Sequence, residues 1–277
     1  MSRAQRRAGW IVVALFSTFL VGGGYARAAG PQAAAGCTRT VAAAGDMNNF
    51  PDTKATGALA RAHHPDTVTT LGDQQYPGGS LADYRNRYAT TGWGQLKART
   101  QPVPGHHEYM TPGAKGYFAY FGKPRYYAYT IGCGWRGYAL NSLIDIAPQA
   151  AWLRRDLAAH PGARVLASWS DPRFSSGTKH GGEPKMQPFW DALSARKGVV
   201  LNGHEHNYER FAPRGQLREF VVGTGGSATY PFGTPVSGSQ KRITGAPGIL
   251  DLNLKSNGAY TWRFLNRAGI ALDAGRG

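Results

Sequence analysis

The sequence predicts a mixed α/β fold in which two packed β-sheets are flanked by helices on the outside. In the first half of the chain, short apolar runs typical of buried strands alternate with helical segments, as in β-α-β units. The part after residue 199 is rich in strand patterns. The chain has 277 residues, enough for one large α/β domain or two small ones.

The elements of the first half follow from apolar runs and helix-start signals. The run Val41–Ala44 fits a buried strand, and a helix over Thr53–His64 places its apolar residues on one side. Ser80 is suited to cap the helix that follows it. We predict strands over Thr38–Asp46, Thr67–Asp73 and Gln101–Gly105, helices over Thr53–His64 and Ser80–Tyr88, and helix or turn over Thr91–Arg99.

The second half contains aromatic runs, two amphipathic helices and a tail of strands. Aromatic residues favour strands, so we expect the aromatic runs to form core strands rather than a platform for a sugar or base. We predict helices over Pro148–His160 and Met186–Lys197, and strands over Gly116–Phe121, Tyr126–Ile131, Tyr138–Ser142, Arg164–Trp169, Val199–Leu201, Glu219–Val222, Gly248–Leu254 and Ala259–Leu265.

The first 28 residues have the pattern of an export signal. A basic start with three arginines precedes an apolar core over Trp10–Val21, which is too short to span a membrane comfortably. Ala26-Arg27-Ala28 then offers a cleavage site. We therefore predict a signal peptide at 1–28, an alanine-rich tether at 29–37, a folded domain at 38–274, and a secreted protein without a membrane span.

The net charge is strongly positive. Removal of residues 1–28 takes away four arginines and no acid, which lowers the formal charge from +16 to +12. Such a field speeds the arrival of phosphorylated or other anionic substrates, although it also serves solubility. The same charge attracts nucleic acid without specificity, but we find no recognition motif and expect no specific nucleic-acid partner.

Two cysteines, Cys37 and Cys133, leave two alternatives open. In an exported protein the pair is suited to form a disulfide, provided that the two Cα atoms come close enough. Alternatively, Cys37 carries a lipid, although the apolar core of the signal ends well before it.

Polar side chains follow a glycine at the ends of four predicted strands. They are Asp46, Asp73 with Tyr76, the His106-His107-Glu108 run, and the pair His204 and His206. In open α/β sheets, sites lie beyond the carboxyl ends of the strands. Carboxylate and imidazole groups bind iron, zinc and manganese ions. A lone His-x-His is equally suited to a surface loop, but four such strand ends together predict a metal site.

The order of these strand ends resembles that of the calcineurin-like metallophosphoesterases, over residues 39–273. The resemblance rests on Gly45-Asp46, Gly72-Asp73-x-x-Tyr76, Gly105-x-His107-Glu108 and Gly203-His204-x-His206. The position of Tyr76 and the Asn207-Tyr208-Glu209-Arg210 run are most similar to the purple acid phosphatase branch. The resemblance implies a four-layer αββα sandwich with two metal ions, iron paired with zinc, manganese or iron.

The resemblance also implies a role for each matching residue. Asp46, Asp73, Tyr76 and His206 would hold the first metal, and Asp73, His106 and His204 the second. His107 would contact the substrate phosphate and help protonate the leaving group, while Glu108 would orient it. Tyr208 and Glu209 would support the site, and Arg173 or Arg210 would contact substrate anions or form a surface salt bridge.

The second metal position departs from the family pattern. His106 stands where the family has asparagine, and Ser170 stands where it has a histidine ligand. Asp171 is a better ligand than serine, but on a regular strand its side chain points to the opposite face. Two of the four positions around the second ion are thus altered.

The sequence therefore predicts a secreted, metal-dependent phosphoesterase in which a metal-bound hydroxide attacks a phosphate-ester substrate at a dinuclear site. An alternative of another class is a secreted relative with little turnover that binds phosphorylated or anionic ligands. The Ser170-Asp171 pair distinguishes the two, because the enzyme needs a second cation held without the family's histidine.

Overall fold

Two mixed β-sheets, of five and seven strands, form the centre of the fold in the computed structural model, which describes residues 36–48 and 50–277. The predicted export signal and all but the end of the tether lie outside these residues. The strands are β1 (Thr38–Ala44), β2 (Thr67–Thr70), β3 (Tyr127–Gly132), β4 (Trp135–Ala139), β5 (Arg164–Ser168), β6 (Gly198–Asn202), β7 (Tyr208–Phe211), β8 (Leu217–Val222), β9 (Ser239–Ile243), β10 (Gly248–Lys255), β11 (Tyr260–Asn266) and β12 (Ala271–Arg276).

The helices lie between these strands in the chain, mostly in its first two thirds. They are α1 (Phe50–Ala62), α2 (Leu81–Asn86), α3 (Gly92–Gln95), α4 (His106–Met110), α5 (Lys115–Phe121), α6 (Ile146–Ala159) and α7 (Gln187–Leu193), with single 3-10 turns at Tyr88–Thr90, Lys97–Arg99, Pro112–Ala114 and Pro184–Met186. Among the described residues, no helix combines the length and the apolar character needed to cross a bilayer.

Each sheet contains parallel strands: an edge pair in the five-stranded sheet and the central strands in the seven-stranded sheet. The five-stranded sheet has the order β12-β11-β10-β1-β2, in which β1 and β2 are parallel. The seven-stranded sheet has the order β3-β4-β5-β6-β8-β7-β9, in which β4, β5, β6 and β8 run parallel. Parallel strands end at the same edge, so the loops after β1, β2, β5 and β6 are suited to converge on one site.

Alternating side chains of the seven-stranded sheet enter two separate cores. Val199 and Leu201 of β6 pack in the core that also contains β1, β10 and β11. Val200 between them packs with residues of α6 and α7, such as Leu153 and Phe189. Successive residues of a strand face opposite sides, so one strand contributes to both layers. The predicted α/β class, with two packed mixed sheets and outer helices, is confirmed.

Several sequence-predicted elements are wrong in type or were missed. The predicted strand over 116–121 is helix α5, because Tyr117, Tyr120 and Phe121 have helical spacing and bury one face together. The segment 101–105 is not a strand, although the backbone N–H groups of Gln101 and Val103 donate to carbonyl oxygens of β2. The sequence patterns do not predict β7, β9, β12 or α4, all of them short or partly exposed elements.

Cys37 and Cys133 form a disulfide, with their Cα atoms 5.5 Å apart. Cys37 directly precedes β1 of the five-stranded sheet, and Cys133 lies in the turn between β3 and β4 of the seven-stranded sheet. The bond therefore joins the two sheets, and Cys37 is not available for a lipid.

Candidate metal centre

The candidate ligands lie on the loops that leave β1, β2 and β6, and at the start of α4. Three of them, Asp46, Asp73 and His204, have positive φ angles of 63°, 50° and 68°. Residues other than glycine rarely adopt this conformation, and such strain is concentrated at functional sites. It turns each side chain out of the line of its strand and into the space between the two sheets' edges.

Glycines allow these loops to approach one another closely. A Cβ atom at Gly105 would collide with Oδ1 and the backbone nitrogen of Asp73. At Gly203, a Cβ would meet the carbonyl oxygen of Leu71 and lie 2.8 Å from Oδ2 of Asp46. Steric crowding thus explains why glycines precede the predicted ligands in the sequence.

Asp46, Tyr76 and His206 form the first cluster. Asp46 is fully buried, and its Oδ2 accepts a hydrogen bond from the backbone N–H of His204 at 2.8 Å. Its Oδ1 lies 3.2 Å from Nε2 of His206, and the Tyr76 hydroxyl lies 3.4 Å from the same nitrogen. The His206 Nδ1 donates to the carbonyl of Ala228 at 3.0 Å, which leaves the Nε2 lone pair facing the cluster.

The protonation behaviour of the histidines reflects their surroundings. Burial lowers the pKa of His206, but Asp46 and the Ala228 carbonyl outweigh it, so the pKa rises above its ordinary value. Burial, followed by the neighbouring His106 and His180, lowers the pKa of His204 to about 2. His204 is therefore a neutral imidazole at all ordinary pH values, the form in which it binds a metal.

Asp73, His106 and His204 form the second cluster. One ligand atom from each lies within 4.8 Å of the other two, and the two imidazole rings are stacked with their centroids 4.3 Å apart. The Oδ1 of Asp73 accepts a hydrogen bond from the backbone N–H of His107 at 2.7 Å. Asp73 also lines the same cleft as Tyr76 and His206 of the first cluster. Burial, followed by the charges of Asp46 and Asp73, raises the pKa of Tyr76.

Asp171 faces the second cluster, contrary to the expectation from a regular strand. Its Oδ1 lies 3.5 Å from Nδ1 of His106 and 3.7 Å from Nε2 of His204. Strand β5 ends at Ser168, and the chain bends over the next residues, so the alternation of faces does not extend to Asp171. Ser170 is buried against Gly72, where an added Cβ would lie 2.6 Å from the serine Oγ.

The Glu108 carboxylate accepts hydrogen bonds mainly from backbone N–H groups and none from the His107 ring. One carboxylate oxygen accepts from the N–H groups of Asp73 and Gly105, at 2.8 and 2.7 Å. The other oxygen accepts from the N–H groups of Gln74 and Gln75 and from the hydroxyl of Tyr84, at 3.0 to 3.2 Å. The expectation that Glu108 orients His107 is thus replaced by a role in fixing the loop that carries Asp73.

The His107 ring is held by a different group. Its Nδ1 lies 2.6 Å from the carbonyl oxygen of Pro77, and the ring packs against Tyr76 with the centroids 3.8 Å apart. A carbonyl oxygen accepts, so the Nδ1 of His107 carries the proton. Its Nε2 is then the atom left to exchange a proton with a ligand in the cleft.

Two residues of the site carry no signal in the sequence motifs. His180 stacks on His204 with the centroids 4.0 Å apart, and Tyr230 stacks on His206 at 4.2 Å. Both arrive on long loops from distant parts of the chain. A histidine inside the glycine-rich segment 177–182 is the one hint that the sequence offers for His180.

Three buried glutamates fix the loop between β5 and α7, which carries Asp171 and His180. Glu205 accepts from the backbone N–H groups of residues 179–181, Glu209 from that of Ser176, and Glu219 from those of residues 173 and 174. Together with Glu108, four of the five glutamates in the chain are wholly buried. Carboxylates are seldom fully buried unless their charge is balanced.

Other residues expected near the site lie elsewhere. The Tyr208 hydroxyl and the Arg210 guanidinium both bind Asp273, each at 2.7 Å, so Arg210 is a salt-bridge residue away from the cleft. The Arg173 Nε donates to Gln187. The expected contact of Arg173 or Arg210 with substrate is therefore not supported by their positions.

The residues present fit a metal centre. Asp46 Oδ1, His106 Nδ1 and both oxygens of Asp171 are buried without a hydrogen-bond partner among the described residues. Such atoms also occur elsewhere among the described residues, but these belong to or face the two clusters, where an ion that they ligate would account for them. His106 lines a cleft of about 440 Å³ together with four more of the eight histidines in the chain. Two other clefts, each of about 460 Å³, lack such a set of histidines and carboxylates, so the lining residues rather than the volume identify this cleft as the candidate metal site.

The fold is similar to that of several solved structures. The purple acid phosphatase from yellow lupin (Lupinus luteus) seeds matches 87% of this chain and 53% of its own, with TM-score 0.73 and 15% identity. GAP50, the anchor in the inner membrane complex of Plasmodium, matches 86% of this chain and 88% of its own, with TM-score 0.68 and 14% identity. PhoD matches 88% of this chain and 69% of its own, with TM-score 0.60 and 12% identity.

These likenesses show that the chain shares its fold with the purple acid phosphatase and with PhoD, as the sequence resemblance predicts. The chain spans about half the length of the lupin phosphatase. No protein-family model matches the sequence, and no curated protein matches it.

Proposed function

We propose that this chain is a phosphoester hydrolase that works with two metal ions in the cleft between Asp46 and His107. The observation that supports this most is a pair of ligand clusters around one cleft, and we assign Asp73, which lies in the second cluster, to the first as well. One consists of Asp46, Tyr76 and His206, and the other of Asp73, His106 and His204. Both lie at the edge where parallel strands end, as in other α/β sites. The phosphoesterase-type fold agrees with this proposal.

Two bound cations would polarise the phosphoryl oxygens and activate water as the nucleophile. The chain's own groups prepare the site for this chemistry. The Asp46 carboxylate binds the backbone N–H of His204 through one oxygen and presents the other to the first cluster. Glu108 fixes the loop of Asp73, so the carboxylate shared by the clusters stays in place.

His107 is the proton donor that we assign to the leaving group. It is partly exposed at the cleft, its Nδ1 is fixed by Pro77, and its Nε2 is free to exchange a proton. Proton transfer from a positioned imidazole contributes about 100- to 10,000-fold to a rate. The positive field of the protein favours the approach of phosphorylated substrates.

We also propose that the protein is exported, with residues 1–28 removed. The motive is the signal pattern in the sequence, and the Cys37–Cys133 disulfide is what an oxidising compartment favours. N-terminal sequencing of the mature protein should find a start near Ala29, and retention of residues 1–28 would contradict export.

A second candidate function is ligand binding without turnover. It is favoured by the likeness to GAP50, the anchor in the inner membrane complex of Plasmodium, and by the altered second metal position at Ser170. The ligand clusters argue for the enzyme, because a pure anchor has no need of buried, unpartnered ligand atoms.

Metal reconstitution tests the proposal. Protein stripped by a chelator is titrated with Mn²⁺, Zn²⁺ or Fe²⁺, and hydrolysis of an aryl phosphate mono- and diester is measured. We expect two equivalents of metal and metal-dependent hydrolysis, with Asp73→Asn lowering the rate by about 100-fold or more because its carboxylate serves both clusters. Asp191→Asn, on the exposed face of α7, is the matched control and should retain full rate.

Three outcomes separate the candidates. Hydrolysis that needs metal and Asp73 supports the enzyme. Two bound ions without hydrolysis of either ester favour the binding protein. A protein that binds no metal contradicts both the ligand assignment and the proposed chemistry.

A further inference from the structure

The Asp171 carboxylate is buried beside two histidines and a lysine. Its residue is 3% exposed, and neither oxygen makes a hydrogen bond to any residue that the structure describes. The cationic Lys185 Nζ lies 3.7 Å from Oδ2, but that side chain is half exposed. A buried charge left this way is costly, so it persists only where another interaction balances it.

The position of Asp171 relative to two histidines is that of a fellow ligand. Its Oδ1 lies 3.5 Å from His106 Nδ1 and 3.7 Å from His204 Nε2, too far for a good hydrogen bond. Ligand atoms about 2.1 Å from one ion, at tetrahedral angles, lie about 3.4 Å apart. The two observed spacings are close to this value. The group whose ligand atoms all lie within 4.8 Å of one another contains Asp73, His106 and His204 but not Asp171, so a small shift of the Asp171 side chain is needed to complete the shell.

The backbone around Asp171 is fixed in this orientation. The Asp171 N–H donates to Ser142 Oγ at 3.3 Å, and the next two N–H groups along the loop donate to the buried Glu219. Ser170, by contrast, is wedged against Gly72, and its Oγ has no hydrogen-bond partner among the described residues. Because of the bend after β5, the Asp171 carboxylate faces the second cluster, while the Ser170 side chain is buried away from it.

We propose that Asp171 is the fourth protein ligand of the second ion, together with Asp73, His106 and His204. This rests on the proposed dinuclear centre and deepens it. The site thereby holds two carboxylates and two imidazoles, a donor set with more oxygen and more negative charge than one completed by a third imidazole. Such a set suits manganese as well as zinc or iron.

A rival role for Asp171 is an ion pair with Lys185 and the two histidines that merely stabilises the loop. The two roles differ in the metal-free protein. A ligand without its ion is an unbalanced buried charge, so replacing it with a neutral side chain should leave stability unchanged or raise it. A structural ion pair loses stability when one partner is removed.

The test compares four forms of the full chain, each stripped of metal and titrated with Mn²⁺, with free ion followed by electron paramagnetic resonance. The variant is Asp171→Asn, which keeps the shape and removes the charge. Ser170→Ala is the matched neighbour, since the serine hydroxyl has no hydrogen-bond partner among the described residues, and Lys185→Gln removes the rival partner. Thermal unfolding of each metal-free form is recorded in parallel.

We expect the wild-type protein to bind two equivalents of Mn²⁺. The Asp171→Asn variant should bind one equivalent as tightly as wild type and the other about 10- to 100-fold more weakly, because mutations around a metal site typically weaken binding by this factor. Ser170→Ala and Lys185→Gln should bind both equivalents at least as tightly as wild type. Metal-free Asp171→Asn should unfold at the same or a higher temperature than wild type.

Two results would overturn the proposal. If Asp171→Asn binds both equivalents with wild-type affinity, Asp171 is not a ligand, while the dinuclear centre stands. If metal-free Asp171→Asn and Lys185→Gln both unfold at clearly lower temperatures, the ion pair is structural. Wild type that binds fewer than two equivalents contradicts the dinuclear centre itself, and with it any place for Asp171 there.

Discussion

Replacement of Glu108 by glutamine tests whether this side chain fixes backbone or serves only His107. All five groups that Glu108 binds are donors, and all are held by a fully buried carboxylate. Glutamine keeps the size but turns one oxygen into an NH₂ donor. In the less costly orientation, the new amide faces the N–H groups of Asp73 and Gly105, and both hydrogen bonds are lost.

The size of the effect follows from those two bonds. A hydrogen bond to a charged group contributes about 1.5–3 kcal/mol, so Glu108→Gln should lower the free energy of unfolding by about 3–6 kcal/mol. For a domain of this size that lowers the Tm by at least about 6 °C. The loss should be present in metal-free protein, because the contacts involve the chain alone.

Urea unfolding of metal-free protein measures this loss directly. Glu183→Gln is the matched control, since Glu183 is the one glutamate that is not buried. His107→Ala should change stability by less than about 1 kcal/mol, because that ring is partly exposed. A Glu108→Gln protein as stable as wild type would refute the reasoning and return Glu108 to a role beside His107.

Three further predictions follow from individual groups. Burial raises the pKa of the Glu219 carboxyl from 4.5 to about 8. Between these pH values the folded protein keeps a proton that the unfolded chain loses, so the free energy of unfolding should fall as the pH rises from 4.5 to 8. Urea midpoints across that window should show a flatter slope for Glu219→Gln. Serine at both Cys37 and Cys133 should lower the free energy of unfolding by about 3–5 kcal/mol, since the disulfide spans 96 residues, and reductant should no longer affect the midpoint. His206→Ala should lose one metal equivalent by elemental analysis and Asp73→Ala both, because Asp73 is the one ligand that we assign to both ions; equal losses would contradict this assignment.

The candidate ligands were predictable because their signals are local. Asp46, Asp73, His204 and His206 each follow a glycine at the end of an apolar run, and the structure brings them together at one edge. The glycine itself is dictated by the close approach of neighbouring loops, as at Gly203. The close approach of the loops thus explains both the glycine in each motif and the geometry of the site.

The remaining parts of the site depend on long loops. The position of His180 is set by its backbone N–H, which donates to the buried Glu205, and that of Tyr230 by its stacking on His206; such contacts between distant segments leave no periodic pattern. The expected orientation of Asp171 is wrong because a regular strand does not continue past the end of β5. The aromatic content of α5 predicts a strand, although the spacing of its buried residues is helical.

The most direct test of the dinuclear centre is anomalous X-ray diffraction from crystals of the reconstituted protein, recorded at the absorption edge of the added metal. We expect two anomalous peaks, both in contact with Asp73. One should be ligated by Asp46, Tyr76 and His206, and the other by His106 and His204. A single peak, or two peaks that do not share Asp73, would contradict the account.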